Sequence, residues 1–180
     1  VCGQSEAALL GARALESDRR FDPLVLQHLG NIYRQANRYA DAARCYERAR
    51  VLRPVYLVIL QNLASCYVAL ADIGKADMLL DELLRKAPHE YSAYYNRATL
   101  RKQTPERNHV KEMENLLSEG LRQEDAEHIL CYSLAKELED LKEWKRSFQY
   151  LKRGADARRR AEPYDISEDI AVLDDVARRM

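Results

Sequence analysis

From Pro23 to Pro54 the chain reads PLVLQHLGNIYRQANRYADAARCYERARVLRP. Counted from Pro23, the residues Leu26, Leu29, Gly30, Tyr33, Ala42, Tyr46, Ala49 and Pro54 fall at positions 4, 7, 8, 11, 20, 24, 27 and 32. A small residue at 8 and another at 20 let two helices cross closely, while large residues at 11 and 24 fill the space beside the crossing. The proline at 32 ends the second helix. Adding 34 to each number gives Leu60, Leu63, Ala64, Tyr67, Ala76, Leu80, Leu83 and Pro88, and every size requirement is met again.

The period and its positions resemble the tetratricopeptide repeat, a helix-turn-helix unit. A third unit begins near Tyr91, with Tyr94 and Ala98 at positions 4 and 8, but Arg97 and Arg101 break the apolar pattern at 7 and 11. The fourth re-enters at His128, where Leu134, Ala135, Leu138, Ser147, Leu151 and Gly154 fit 7, 8, 11, 20, 24 and 27. The longer step places about three extra residues around Gln103 to Asn108, where Thr104-Pro105 marks a turn. Upstream, Ala8 and Ala12 fit a partial repeat over 1–22 whose first helix would precede Val1, as in a piece of a longer protein. Downstream, Pro163 breaks the pattern, and Asp165 with Glu168 has the spacing of a capping box. A last helix over 166–180 is expected to cap the stack or to open a linker. The spacing thus predicts an all-α, right-handed α-solenoid of about ten helices. Its repeat domain covers 1–165, with full units near 23–56, 57–90, 91–127 and 128–161.

Composition agrees with a folded chain that needs no staples. Apolar residues make up 47% and charged residues 32% of 180, with only 6 Gly and 5 Pro, which excludes collagen-like and disordered classes. Lys plus Arg and Asp plus Glu each number 29, so no net field steers the molecule to nucleic acid or an anionic membrane. Cys2, Cys45, Cys66 and Cys131 stand far apart, as in a reducing compartment, and the cytoplasm is the expected location. Neither an apolar run of membrane-spanning length nor a secretory leader stands out.

Chemistry has little purchase in this pattern. The closest glycines, Gly3 and Gly11, are too far apart for a phosphate-cradling loop. His28, His89, His109 and His128 form no HExxH, and Asp125-x-x-His128 has no second copy to complete a metal site. No GxSxG elbow holds a nucleophile. Cys45 and Cys66 adjoin Tyr46 and Tyr67 on core faces, where packing outweighs reactivity. No catalytic residue, metal or cofactor is expected.

What remains is surface. The first helices of successive units line a concave groove through positions 2, 5, 6, 9, 12 and 13, and these hold mainly neutral polar residues. The candidate partner-binding residues are Gln27, Asn31, Arg34, Gln61, Asn62, Tyr95, Asn96 and Lys102. Asn62 and Asn96 share one repeat position, and amides carry both donor and acceptor, so a row extended by Asn31 suits the backbone of an extended peptide. Solvation of the inner face is the plainer reading of the same residues. Tetratricopeptide domains that clamp chaperone carboxylates use cations where this chain has Gln27, Ser92 and Asn96, which argues against that clamp. Between Lys142 and Arg160, eight Lys and Arg face only Glu143 and Asp156. Cations gather at a helix C-terminus because the macrodipole favours them. The functional alternative is an anion-facing surface of Arg153, Arg158, Arg159 and Arg160. No aromatic alternates with these arginines, which argues against RNA.

The segment from His128 to Asp165 also resembles the last repeat of bacterial tetratricopeptide-sulfotransferase proteins, through Leu134, Ala135, Lys136, Glu139, Asp140, Leu141, Phe148, Leu151, Gly154, Arg158, Arg159, Tyr164 and Asp165. Ser147 and Ala155 depart from that pattern, where Ala and Asn are usual. The resemblance implies a donor-binding catalytic domain downstream, for which this chain would recruit and position substrate. The expected function is therefore a non-catalytic protein-interaction module that binds a peptide or partner segment in its groove, with the N-terminal part of a sulfotransferase as the alternative. An exposed helix face over residues 4–17 is a possible homodimer contact.

Overall fold

The computed structural model describes residues 22–53, 57–121, 126–161 and 166–179, and among these every helix or strand element is an α-helix. The partial repeat at 1–22 except Asp22, the helix-ending Pro54 and Pro163, and Asp165 of the capping box lie outside the described residues. The chain divides into two compact units, Val1–Lys102 and Gln103–Met180.

In the first unit, α1 (Pro23–Gln35), α2 (Tyr39–Leu52), α3 (Leu57–Ala69), α4 (Ile73–Lys86) and α5 (Tyr91–Leu100) each pack on the next in sequence. The start of α1 is fixed by Asp22, whose carboxylate accepts from the Leu24 N–H at 2.9 Å while Pro23 occupies the first turn without needing a donor. Gly30 explains the small residue at position 8, since a Cβ there would stand 2.6 Å from Cε1 of the wholly buried Tyr46. Leu26, Leu29, Tyr33, Ala42, Cys45 and Ala49 complete the interior of this pair, and Ile59, Leu60, Leu63, Ala76, Leu80 and Leu83 repeat the arrangement in the next.

The second unit holds α6 (Val110–Glu119), α7 (Ala126–Asp140), α8 (Trp144–Ala161) and α9 (Ile166–Arg179). Gly154 faces α7, where a Cβ would lie 3.0 Å from Cβ of Cys131 and from the Tyr132 ring. α9 forms where the sequence places a last helix, and its described side chains are exposed.

The turns repeat as well as the helices. Asn37, Ala71 and Lys142 have φ of 58°, 59° and 64° and occupy the same place in their units, each followed by a residue whose N–H reaches back to the carbonyl of Tyr33, Tyr67 or Leu138. Such a left-handed residue closes a helix C-terminus by satisfying its last carbonyls. The corresponding position in the third unit is Pro105, whose ring holds φ near −65° and cannot enter this conformation. A tight loop replaces the turn, with Thr104 and Arg107 exchanging backbone hydrogen bonds at 3.2 and 3.0 Å. This is where the sequence locates the extra residues.

The third unit differs from expectation in its charges. Arg97 and Arg101 pack against α4: Arg97 is buried, 3.2 Å from Asp81 and stacked over Tyr94, and the half-buried Arg101 lies 3.1 Å from the buried Asp77. Two apolar positions have been exchanged for guanidiniums, and carboxylates on the preceding helix supply their counter-charges.

Candidate functional site: an amide-lined groove

The expected groove positions lie on α1, α3 and α5 of the first unit. Its hydrogen bonds link consecutive helices. Tyr46 Oη donates to Asn31 Oδ1 at 2.6 Å, and Asn62 Nδ2 approaches the same oxygen at 3.4 Å, joining α1 to α3. Gln61 Nε2 donates to Ser92 Oγ at 3.1 Å, and Ser92 in turn donates to Glu90, joining α3 to α5. Of the three amides expected to form a row, Asn31 and Asn62 are in contact, and Asn96 stands on α5 with no hydrogen bond to either among the described residues. Beside them a cleft of about 270 Å³ opens between Gln61, Ala64, Ser65 and Val68 of α3, Ile73 and Leu80 of α4, and Asn96, Thr99 and Leu100 of α5. Its walls pair an apolar floor with amide and hydroxyl rims, the composition of a site for an uncharged segment.

Arg34 lies half-buried at the α1 end of the face. Its guanidinium hydrogen-bonds the Tyr46 hydroxyl, and its Nε is buried without a hydrogen-bond partner among the described residues. Burial pushes the Tyr46 hydroxyl up to about 12, against the opposing pull of Arg34, so Tyr46 stays a donor to Asn31 across the physiological range.

Two expected groove residues are displaced. Gln27 is buried on α1, and its Oε1 has no hydrogen-bond partner among the described residues. Lys102 is exposed but stands beyond the end of α5 at Leu100, because Pro105 shortens this helix. Tyr95 keeps its place on α5, with nearly half of its surface exposed.

The basic stretch is less open than its sequence suggests. Glu127 at the start of α7 accepts from Arg153 Nε at 2.7 Å and from Arg160 at 3.0 Å, so one carboxylate from a neighbouring helix draws in two of the four expected anion-facing arginines. Arg158, Arg159 and Arg160 fill the last turn of α8, where the helix dipole stabilises them. Arg146 and Tyr150 both bond Glu114 of α6 at 2.7 Å. Burial raises the Glu114 carboxyl, but these two bonds outweigh it and leave the group below its ordinary range. Glu137, wholly buried on α7, accepts from the His109 N–H at 2.6 Å and so holds the start of α6. None of these carboxylate partners was visible from local spacing.

Cys45, Cys66 and Cys131 are fully buried, and burial raises the thiols of Cys66 and Cys131 to about 11. Thiols so protonated are packing groups. Among the described residues, no three His, Cys, Asp or Glu stand together as a metal site would require, and no helix is long and apolar enough to cross a membrane.

Residues 23–54 match the tetratricopeptide repeat family. The chain has an all-α solenoid fold of helix-turn-helix repeats. Among particular proteins, it is similar to ycf37, an uncharacterized protein of Pyropia yezoensis, at 34% identity over 88 residues, which cover 44% of this chain and 49% of that one. The chain thus spans about half the length of the curated relative it matches. In fold it resembles a crystal structure of MamA with a TM-score of 0.69 and 14% identity, over 90% of this chain and 93% of that one. MamA MSR-1 C2 gives 0.64 and 16%, over 89% and 91%.

Proposed function

We propose that this chain is a non-catalytic recruiting module that binds an extended, mainly uncharged peptide segment along the groove of α1, α3 and α5. The observation that carries the reading is the set of side-chain amides on the three helices, beside a cleft with an apolar floor. Asn31 Oδ1 is already engaged, while the Asn96 amide has no hydrogen-bond partner among the described residues and stands at the cleft wall. An extended strand offers one N–H and one C=O per residue, which is the complement of such a set. Arg34 marks the end of the groove at which an acceptor on the ligand is favoured.

The repeat boundaries 23–56, 57–90, 91–127 and 128–161 are part of this proposal, as is action in the cytoplasm, which suits three buried thiols. A downstream sulfotransferase domain is the class of partner that the resemblance of 128–165 would assign to such an arm. The groove reading does not depend on it.

The test is selection of peptides from a displayed library against the whole chain, followed by titration of the selected peptides into wild type and the Asn62→Ala, Asn96→Ala double variant. An affinity loss of about tenfold or more, corresponding to ~1.4 kcal/mol, with unchanged melting temperature is expected. Equal affinity for both proteins would remove the groove assignment.

A further inference from the structure

The second unit carries two apolar stripes that stay exposed among the described residues. On α8, Trp144, Phe148 and Leu151 are 60%, 66% and 48% exposed, and Ala155 continues their line. On α9, Ile166, Ile170 and Leu173 are 61%, 50% and 67% exposed, and Ala177 continues theirs. Both stripes have the spacing i, i+4, i+7, i+11, the seam along which two helices pack at a shallow angle. The opposite face of α8 is the one that packs on α7, through Gly154 and Ala157.

The flanks of the stripes differ in sign. α8 carries Lys145, Lys152 and Arg159 along one border of its stripe at helical spacing, while Arg146, Arg153 and Arg160 lie across the helix and are engaged by Glu114 and Glu127. α9 carries Asp169 and Asp174 on the two borders of its stripe, and four acidic residues against Arg178 and Arg179 overall. Matching apolar spacing with opposite charge at the rim is the composition of a specific helix pair.

Helix length sets α8 apart from the second helices of the first unit. α2 and α4 are both 14 residues long, with a proline two residues after α4, whereas α8 is 18 residues long and Pro163 follows it. The extra turn carries the start of α9 about 6 Å further along the α8 axis. Among the described residues, Trp144, Phe148, Ile166 and Ile170 stay exposed. A helix from another molecule is free of that offset and can match the stripes from end to end.

We propose that the chain forms a two-fold dimer in which α9 of each copy seats its Ile166, Ile170 and Leu173 stripe antiparallel on the Trp144, Phe148 and Leu151 stripe of the other copy's α8. The arrangement is isologous, since each molecule offers one seat and fills one. It is separate from the groove of the first unit, so peptide binding and dimerisation stand or fall independently.

Sedimentation equilibrium of the whole chain, wild type and with Phe148→Glu or Leu173→Glu, tests this, with far-UV circular dichroism as the check on folding. Both positions are exposed, so each variant is expected to stay folded. The wild type is expected to be a dimer that weakens at high salt, and each variant a monomer. An equimolar mixture of the two variants is expected to recover a 1:1 complex, because one copy keeps an intact α8 and the other an intact α9. A wild-type monomer overturns the proposal, whether Trp144 is open to acrylamide quenching or shielded by closure within one chain. A dimer that survives Phe148→Glu overturns it in favour of α9 pairing with α9, and one that survives both variants places the contact elsewhere, residues 4–17 included.

Discussion

The two units solve the same packing problem with different means. The first relies on small residues at crossings: Gly30 meets the Tyr46 ring so closely that no Cβ fits, and its interior is made chiefly of Leu, Ala and Tyr. The second holds its helices through carboxylates as much as through volume, with Glu114 joining α6 to α8, Glu127 joining α7 to α8, and Glu137 holding the start of α6. At Gly154 the approach is less close, with a Cβ 3.0 Å from Cys131 Cβ and the Tyr132 ring. The junction, residues 91–109, shares both habits, since Arg97 and Arg101 are charged where the repeat asks for apolar side chains. A unit packed by shape is sensitive to added volume, and a unit packed by ion pairs is sensitive to lost charge.

The largest break expected is Arg101→Met, which leaves the buried Asp77 without its 3.1 Å partner and should cost about 3 kcal/mol in denaturant unfolding. The Arg101→Met, Asp77→Leu pair should regain most of that loss, because apolar replacement of both partners removes the charge together with its counter-charge. Next, Gly30→Ala should cost roughly 2 kcal/mol despite better helix propensity, while Gly154→Ala stays within about 1 kcal/mol of wild type. Thermal melts of the two variants check the contrast.

Acid should separate the units as well. Glu114 lies below its ordinary value of 4.5 when folded, so the unfolded chain takes up this proton first as pH falls. Its contribution is complete above that range and is lost as pH drops through the folded pKa. Glu114→Gln should therefore flatten the acid limb of a melting-temperature profile. The smallest effect expected is a gain: Ala71→Gly, at φ 59°, should stabilise the first unit by about 0.5–1 kcal/mol.

Much of the fold was legible because position in a repeat encodes size. Gly30 and Tyr46 name each other across 16 residues, and Pro105 announces both the shortened α5 and the altered turn. Periodicity says which face a residue occupies, however, and not which partner it meets there. Arg97 and Arg101 read as breaks because Asp81 and Asp77 sit on another helix, and the run from Lys142 to Arg160 reads as open cation because Glu114 and Glu127 lie well upstream. Repeat position singles out Asn62 and Asn96, whereas the contact between Asn62 and Asn31 and the burial of Gln27 depend on neighbouring helices that helical spacing alone does not resolve.

The account stands most directly on the groove, and side-chain amide resonances read it. Titration of a library-selected peptide into the isotope-labelled chain should shift the NH2 signals of Asn31, Asn62 and Asn96 together, with one dissociation constant. Saturating binding that leaves all three unmoved, and shifts α8 and α9 instead, would contradict it.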